Sequence, residues 1–446
     1  MSTHKIHLTR RQLFKAALAG TLLPARRGWT QSSAADNAIA RAEARRGELT
    51  DLLSELVATP SPVGESAAEA QAIVERYLID QEFNVQVTLD EPLLYANDPE
   101  FMPPGEALSG PAVNVIARPS TRNAAPRLAL FAHIDTENAG DGWETNPLEP
   151  TLQGSRMYGL GTADDKGGVA AMLVAAAVLA SRGGPAPTVM SLHGKGGGSR
   201  GSLPAFRRTP DLDAVLYLHP AETGRGLRDI KHVVQGSLDL ILDVEGWRGT
   251  PLEIGSPDSA RYDEGGDALS ACLLAIDSLR QTALRGAEVN VGRVDAGDRI
   301  GSVPDRCHAE LRVLFEEPRT TDEILATLRA QLDALSETLA MPDGRFYFTL
   351  SVGRLKTNPA SVRWDSPSSR ALRDAIASVT DQVPDPHTRH YAGDIRYPIR
   401  LSDAPAFGIG SLAGNFYGPN EWVDIDDLVN LVAVTTLTME SWAQEL

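Results

Sequence analysis

Cysteine is nearly missing from this chain: Cys272 and Cys307 are its only two. That excludes a disulfide framework and a thiolate metal centre, while the spacing leaves open a single bridge that nothing in the sequence decides. Basic charge is short as well. With 59 Asp and Glu against 42 Lys and Arg, the formal net charge is −17, which argues against nucleic acid or an anionic membrane as partner because phosphate binding needs a basic face. No stretch is long and apolar enough to cross a bilayer, so no membrane anchor is expected, and there are no internal repeats or low-complexity tracts. What remains is ordinary globular composition, 42% hydrophobic and 23% charged, in 446 residues. That length has room for two domains and a large core.

The N-terminus stands apart. Thr9-Arg10-Arg11-Gln12-Leu13-Phe14-Lys15, followed by AALAGTLLPA, resembles a twin-arginine export signal, with paired arginines ahead of a short, weakly apolar segment. A small-residue cleavage site falls near Ala34 and Ala35, with Arg26 and Arg27 in front of it. Residues 1–35 are therefore set aside from the fold, and the expected destination is periplasmic or secreted. A plain basic tail is the alternative.

Along the rest of the chain, residues 38–58 and 66–81 carry apolar positions at helical spacing, with the Pro- and Gly-containing turn TPSPVGE between them. FNVQVTLD, AVNVIAR, RLALFAH, TVMSLHG and AVLYLHP read as strands, and 166–182 as an Ala-rich helix. Strands separated by helices predict an α/β fold with a mainly parallel, helix-covered sheet. From residue 236 the pattern changes. SLDLILDVEG, CHAELRVLFEEP and RFYFTLSVG alternate as strands around two amphipathic helices. This β-α-β-α-β order predicts an inserted α+β sandwich over 236–355, between catalytic segments 36–235 and 356–446.

Chemistry concentrates between residues 128 and 168. The run LALFA ends in His133-Ile134-Asp135, and GLGTADDKGG carries Asp164 into the Ala-rich helix. Period-two alternation puts His133 and Asp135 on one face at the C-terminal rim of the sheet, where open α/β sheets bind ligands. His133 can ligate a metal through one ring nitrogen while Asp135 accepts from the other, and Asp164 is the natural second ligand. Capping of a strand and a helix is the plainer account of either piece alone.

HIDTE at 133–137, GDGWETNPLEP at 140–150 and YGLGTADDKGG at 158–168 resemble the di-zinc metallopeptidases that include aminoacylase, acetylornithine deacetylase, succinyl-diaminopimelate desuccinylase and glutamate carboxypeptidase. The resemblance runs from about residue 40 to the C-terminus. It implies His133 and Asp164 as zinc ligands, Asp135 as the carboxylate behind them, and a lid that also serves for dimerisation, hence a homodimer. Where the family has an acidic ligand before proline, this chain has His219 of LYLHPAET, and an imidazole can also bind zinc.

Other departures cluster. The family expects two adjacent glutamates before Gly-Ser-x-Gly, a general base and a second-zinc ligand; Lys195 and Gly196 stand there. A late histidine that would also hold the second zinc is replaced by Tyr417 of GNFYGPNEWV, and a lid histidine falls near Thr250. The first metal thus keeps His133, Asp164 and His219, and the second loses two ligands together. An ammonium about 4 Å from a second divalent ion would cost roughly 8 kcal/mol at an effective dielectric near 20. One divalent, zinc-like ion is therefore expected. Lys195 then either polarises the substrate or, with a lowered pKa, acts as the base. Glu222 is the second candidate base or an alternative ligand. Tyr417 can donate a hydrogen bond to the reacting carbonyl, and His193 and His390 are candidate replacement ligands. Arg396 either clamps a substrate carboxylate or pairs with Asp394.

The reading is an exported, metal-dependent hydrolase of an amide bond in an N-acyl amino acid or short peptide. Twin-arginine export, which moves folded proteins, suits an enzyme that loads its metal first. The rivals are a catalytically silent ligand-binding descendant and a lyase or isomerase using Lys195.

Overall fold

The computed structural model of the chain describes residues 28–102, 111–120, 127–181, 183–194, 200–247, 266–282, 284–298, 303–340, 344–386, 390–391 and 393–446. The paired arginines, Lys195, Gly196 and Thr250 lie outside them. Helix Gly28–Glu43 begins inside the segment assigned to the signal, and Ala35 is buried. A cut near Ala34 and Ala35 would therefore open this helix.

The main sheet runs in the order Phe83–Asp90, Ala112–Pro119, Thr188–Leu192, Leu128–His133, Ala214–Leu218, Ala406–Ile409. The last four strands are mutually parallel, and the first two join antiparallel at one edge. Every residue of Leu128–His133 and Ala214–Leu218 is buried, which is why these strands read as continuous apolar runs rather than as alternation. Helix Gly167–Ala180 is apolar on all sides and packs between the sheet and helix Ile425–Glu445, as an all-round apolar helix must. Helices Ser202–Arg208 and Arg396–Ser402 cover the opposite face through Phe206 and Tyr397.

The inserted unit is a second, antiparallel sheet in the order Tyr347–Thr357, Val233–Glu245, Arg306–Phe315, Glu288–Ala296. Two helices cover it. Ala268–Gln281 is capped by Asp267, and Thr321–Thr338 by a capping box of Thr320 and Glu323. The order is β-α-β-β-α-β, one strand more than the sequence pattern predicts. The missed strand, EVNVGRVDA, has a bulge at Gly292 that shifts its valines from 289 and 291 to 294, so the alternation breaks in mid-strand. Residue 236 falls inside the continuous strand Val233–Glu245, whose first residues pair with Ala360–Ser361 and His390–Tyr391 and whose later ones belong to the inserted sheet.

Gly168 fixes how closely the Ala-rich helix meets the sheet. A Cβ there would lie 1.9 Å from the carbonyl oxygen of Leu218 and 2.4 Å from Oδ1 of Asp165. Gly168→Ala is expected to lower the thermal midpoint by about 3–10 °C, as overpacking at a rigid contact does. Gly47→Ala, where nothing lies within 4 Å, should leave it unchanged or raise it, and scanning calorimetry of both variants checks the contrast.

Candidate metal centre

His133 and His219 close adjacent parallel strands. Phe131 pairs in register with Tyr217, and their rings stack at 4.1 Å, 4° from parallel. Two residues further along each strand the same face is presented again. The two imidazoles accordingly stand side by side, with ring centroids 5.3 Å apart. Asp164 enters from the irregular turn Thr162–Lys166 ahead of the Ala-rich helix, and its Oδ1 lies 2.7 Å from Nε2 of His133 and 2.8 Å from Nε2 of His219. One ligand atom from each of the three residues falls within 4.8 Å of the other two, and all three residues are buried.

The remaining ring nitrogens have partners of their own. Nδ1 of His133 is 3.1 Å from the carbonyl oxygen of Asp135, and Nδ1 of His219 is 2.9 Å from that of Pro220. His133, by giving its Nδ1–H to the carbonyl, turns the Nε2 lone pair inward, the arrangement a ligating histidine needs; Nδ1 of His219 meets a carbonyl acceptor and an amine together, so these contacts do not fix its proton. The Asp135 carboxylate stands behind the His133 ring at 3.5 Å, as expected, and accepts the amide of Gly194 at 2.7 Å; its own backbone carbonyl makes the shorter contact with the ring. Burial raises the Asp135 pKa, yet His133 and the Gly194 amide together hold it below the usual carboxylate range. Lys231, also buried, brings its Nζ against Nδ1 of His219.

Two nitrogens and a carboxylate oxygen, converging with their outer nitrogens already engaged, fit a divalent transition ion such as zinc, with coordination left open toward the cavity. That cavity, about 500 Å³, has His133, Asp164, Glu222, His390 and Tyr417 on the catalytic side and Arg312, Arg354 and Leu355 from two strands of the inserted sheet opposite. The Tyr417 hydroxyl donates to Glu222 Oε1 at 2.8 Å. Burial, Asp164 and Glu222 all raise its pKa, so it stays a neutral hydroxyl.

Arg396 takes the second of its two expected places, and neither candidate replacement histidine joins the ligand group. Arg396 is fully buried, with its guanidinium on Asp394 at 3.3 Å, on the Gly393 carbonyl and across the Tyr397 ring. It is an internal ion-paired residue, enclosed by these partners, and does not line the cavity. His193 is buried, and its Nδ1 accepts the Val113 amide at 3.3 Å, outside the ligand group. His390 lines the cavity 6.2 Å from the His219 ring, likewise outside the group of three.

Glu421 is the residue that the sequence reading passed over. Its buried carboxylate accepts the amides of Gly161 at 2.9 Å, Ala163 at 2.8 Å and Asp164 at 2.9 Å. The whole turn presenting Asp164 thus hangs on one side chain. Burial pushes Glu421 up to about 7 against those three amides, and burial brings Lys166 down to about 7, with Glu421 partly offsetting it. The signal was present in GPNE, directly after Tyr417.

The comparisons with known proteins bear on this geometry. The model of peptidase family M20/M25/M40 matches residues 129–441. The chain belongs to that family. It is 25% identical over 373 residues to a succinyl-diaminopimelate desuccinylase of Rhizorhabdus wittichii, covering 80% of this chain and 89% of the relative. A second desuccinylase, from Methylobacterium radiotolerans, is 26% identical over 361 residues, 76% of this chain and 89% of its own. In fold it is similar to the aminopeptidase PepT of Bacillus cereus, with TM-score 0.68, 16% identity, and 89% and 99% of the two chains covered. It is also similar to a metallo-carboxypeptidase of Sulfolobus solfataricus, with TM-score 0.62, 17% identity, and 90% and 99% covered. At those identities the structural likeness speaks to the fold, a catalytic domain carrying an inserted second domain. As a member of this family the chain is a metal-dependent hydrolase acting on amide bonds.

Removing either imidazole should abolish tight binding. Metal analysis after exhaustive dialysis is expected to find no retained ion in His133→Ala or His219→Ala, and wild-type content in His390→Ala. Glu421→Gln replaces an acceptor oxygen with a donor facing a backbone amide, so it is expected to cost about 1–3 kcal/mol, read as a lower midpoint in chemical denaturation.

Proposed function

We propose that this hydrolase is exported and works with one zinc-like ion on the amide bond of an N-acyl amino acid or short peptide that carries a free carboxylate. The observation that carries the reading is the cavity itself, with His133 and Asp164 in its lining, His219 buried beside them, and Arg312 and Arg354 on the side of the inserted sheet. A divalent ion held by those three residues supplies Lewis acidity and an acidified water. Arg312 and Arg354 face it from the inserted domain, and Arg312 is steadied by a two-point contact with Asp239 at 2.7 and 3.0 Å. A guanidinium so held offers a carboxylate directional recognition. Glu222, exposed in the cavity, is the carboxylate positioned to take a proton, and Tyr417 donates the hydrogen bond that orients it. Lys195 lies outside the described residues and stays the alternative base.

Three features favour one ion over two. Tyr417, where relatives by resemblance have a ligand, places a neutral hydroxyl beside Asp164 and Glu222. Gly196 offers no ligand, and Lys195 brings a positive charge. Among the described lining residues, Asp135, Glu137, Asp164 and Glu222 are set against Arg312 and Arg354, so the lining holds less negative charge for a second divalent ion than its acids alone would give. By contrast, a Bacillus subtilis structural relative with TM-score 0.61 and 15% identity, covering 91% of this chain and 100% of its own, is described as a dinuclear metal-binding peptidase. Export rests on the twin-arginine-like N-terminus, and no helix among the described residues is long and apolar enough to cross a membrane. A homodimer through the inserted domain is supported by strand Glu288–Ala296, which has a described strand along one side only and is largely exposed.

The purified protein is expected to retain one equivalent of zinc per chain. Gly196→Glu combined with Tyr417→His should raise this toward two; two equivalents in the unaltered protein would end the single-ion reading. Arg354→Met should raise KM for carboxylate-bearing N-acyl amino acids about tenfold or more with little change in kcat, and should not alter turnover of their amidated counterparts. Mass analysis of products must show the gain of one water.

A further inference from the structure

The two cysteines are used by neither the site nor the reaction. The fold nevertheless brings them together in the core of the inserted domain. Cys272 lies on helix Ala268–Gln281 and Cys307 opens strand Arg306–Phe315; both are buried in one apolar cluster. The helix meets the sheet through small side chains, Ala268, Ala271 and Ala275, opposite Ala309, and small residues bring a helix close to the strands beneath it. The two thiols are near enough to influence each other's ionisation, favouring that of Cys307 and opposing that of Cys272. Both are reduced in the structure. Cys307 also lines a groove of about 510 Å³ with Asp243, Glu245 and Asp295, three acids against Arg306 and with His308 paired to Asp243, so of the pair it is the one a small reagent meets first.

We propose that Cys272 and Cys307 are an oxidation site that closes to an intramolecular disulfide, tying the helix to the sheet, when the protein meets a small-molecule disulfide. The step balances as two exchanges. The Cys307 thiolate attacks one sulfur of the reagent, breaking its S–S bond and releasing one thiolate. The Cys272 sulfur, having lost its proton to solvent, then attacks Cys307 and expels the second half. The protein gives up two electrons and two protons, and the reagent leaves as two thiols. Burial and the neighbouring aspartates hold both thiols above their ordinary pKa, which makes the first exchange slow at neutral pH and faster as pH rises. The acidic rim favours a cationic disulfide over an anionic one.

The test treats the full-length protein with cystamine or with oxidised glutathione, at low and high salt. The expected product is a monomer two hydrogens lighter, with a tryptic fragment joining residues 272 and 307. Its thermal midpoint should rise by roughly 5 °C or more, reversed by dithiothreitol. Cystamine should react several-fold faster than glutathione disulfide, with the gap narrowing in high salt. Cys272→Ala should stop at a stable mixed disulfide on Cys307, with catalytic activity unchanged. Two free thiols per chain after exhaustive treatment, a mixed disulfide as the end product in the unaltered protein, or linkage between chains would each overturn the proposal.

Discussion

Where both imidazoles stand is decided by the register between strands Leu128–His133 and Ala214–Leu218. A slip by one residue would turn one of the two to the opposite face of the sheet. That register is held by more than ladder hydrogen bonds. The stacked rings of Phe131 and Tyr217 sit one step below the histidines on the same face, and such a buried pair contributes about 0.5–1.5 kcal/mol beyond its area. Phe206 meets Phe131 edge-on at 5.1 Å and closes the stack from the far side. The third ligand depends on the same strand from another direction, since Gly168 lets the start of the Ala-rich helix sit against the Leu218 carbonyl, immediately before His219. Ligands mounted on rigid strand ends keep their geometry in a way loop-borne ligands do not.

Around this frame the charges have been redistributed rather than merely lost. A histidine at 219 removes one negative charge, and Lys231 stands behind its ring. Arg200 lies buried near Asp135 and interacts with it electrostatically. Glu421 shows the opposite economy: an acid is kept, buried and raised in pKa, because its oxygens organise three amides of the Asp164 turn. Glu222 and Tyr417 then occupy the flank with a hydrogen-bonded pair, where decay alone would leave unrelated side chains.

The sequence disclosed what periodicity and local motif can encode. Buried strands announced themselves as apolar runs, and the ends of three local segments supplied His133, Asp164 and His219. It was silent where tertiary placement decides. Arg396 sits in a segment resembling an active-site motif, yet its guanidinium is enclosed by Asp394, the Gly393 carbonyl and the Tyr397 ring. Arg312 and Arg354 were hidden as ordinary outward positions of alternating strands, because only the position of the inserted sheet over the cavity gives them a role. The Asp135 carbonyl, which meets the His133 ring beside the carboxylate, could not be foreseen, since a backbone oxygen has no signature in residue type. Strand Glu288–Ala296 escaped through its bulge, and the nearness of the two cysteines depends on how the helix seats on the sheet.

The long strand Val233–Glu245 explains why a two-part molecule can have a single cavity. Its first residues are tied to Ala360–Ser361 and to His390–Tyr391, and His390 stands beside His219. Lys231, two residues before the strand begins, touches His219 directly. Its later residues are the spine of the inserted sheet, paired on one side with the strand bearing Arg312 and on the other with the strand bearing Arg354. One uninterrupted piece of chain thus joins the strands that carry Arg312 and Arg354 to the residues beside His219.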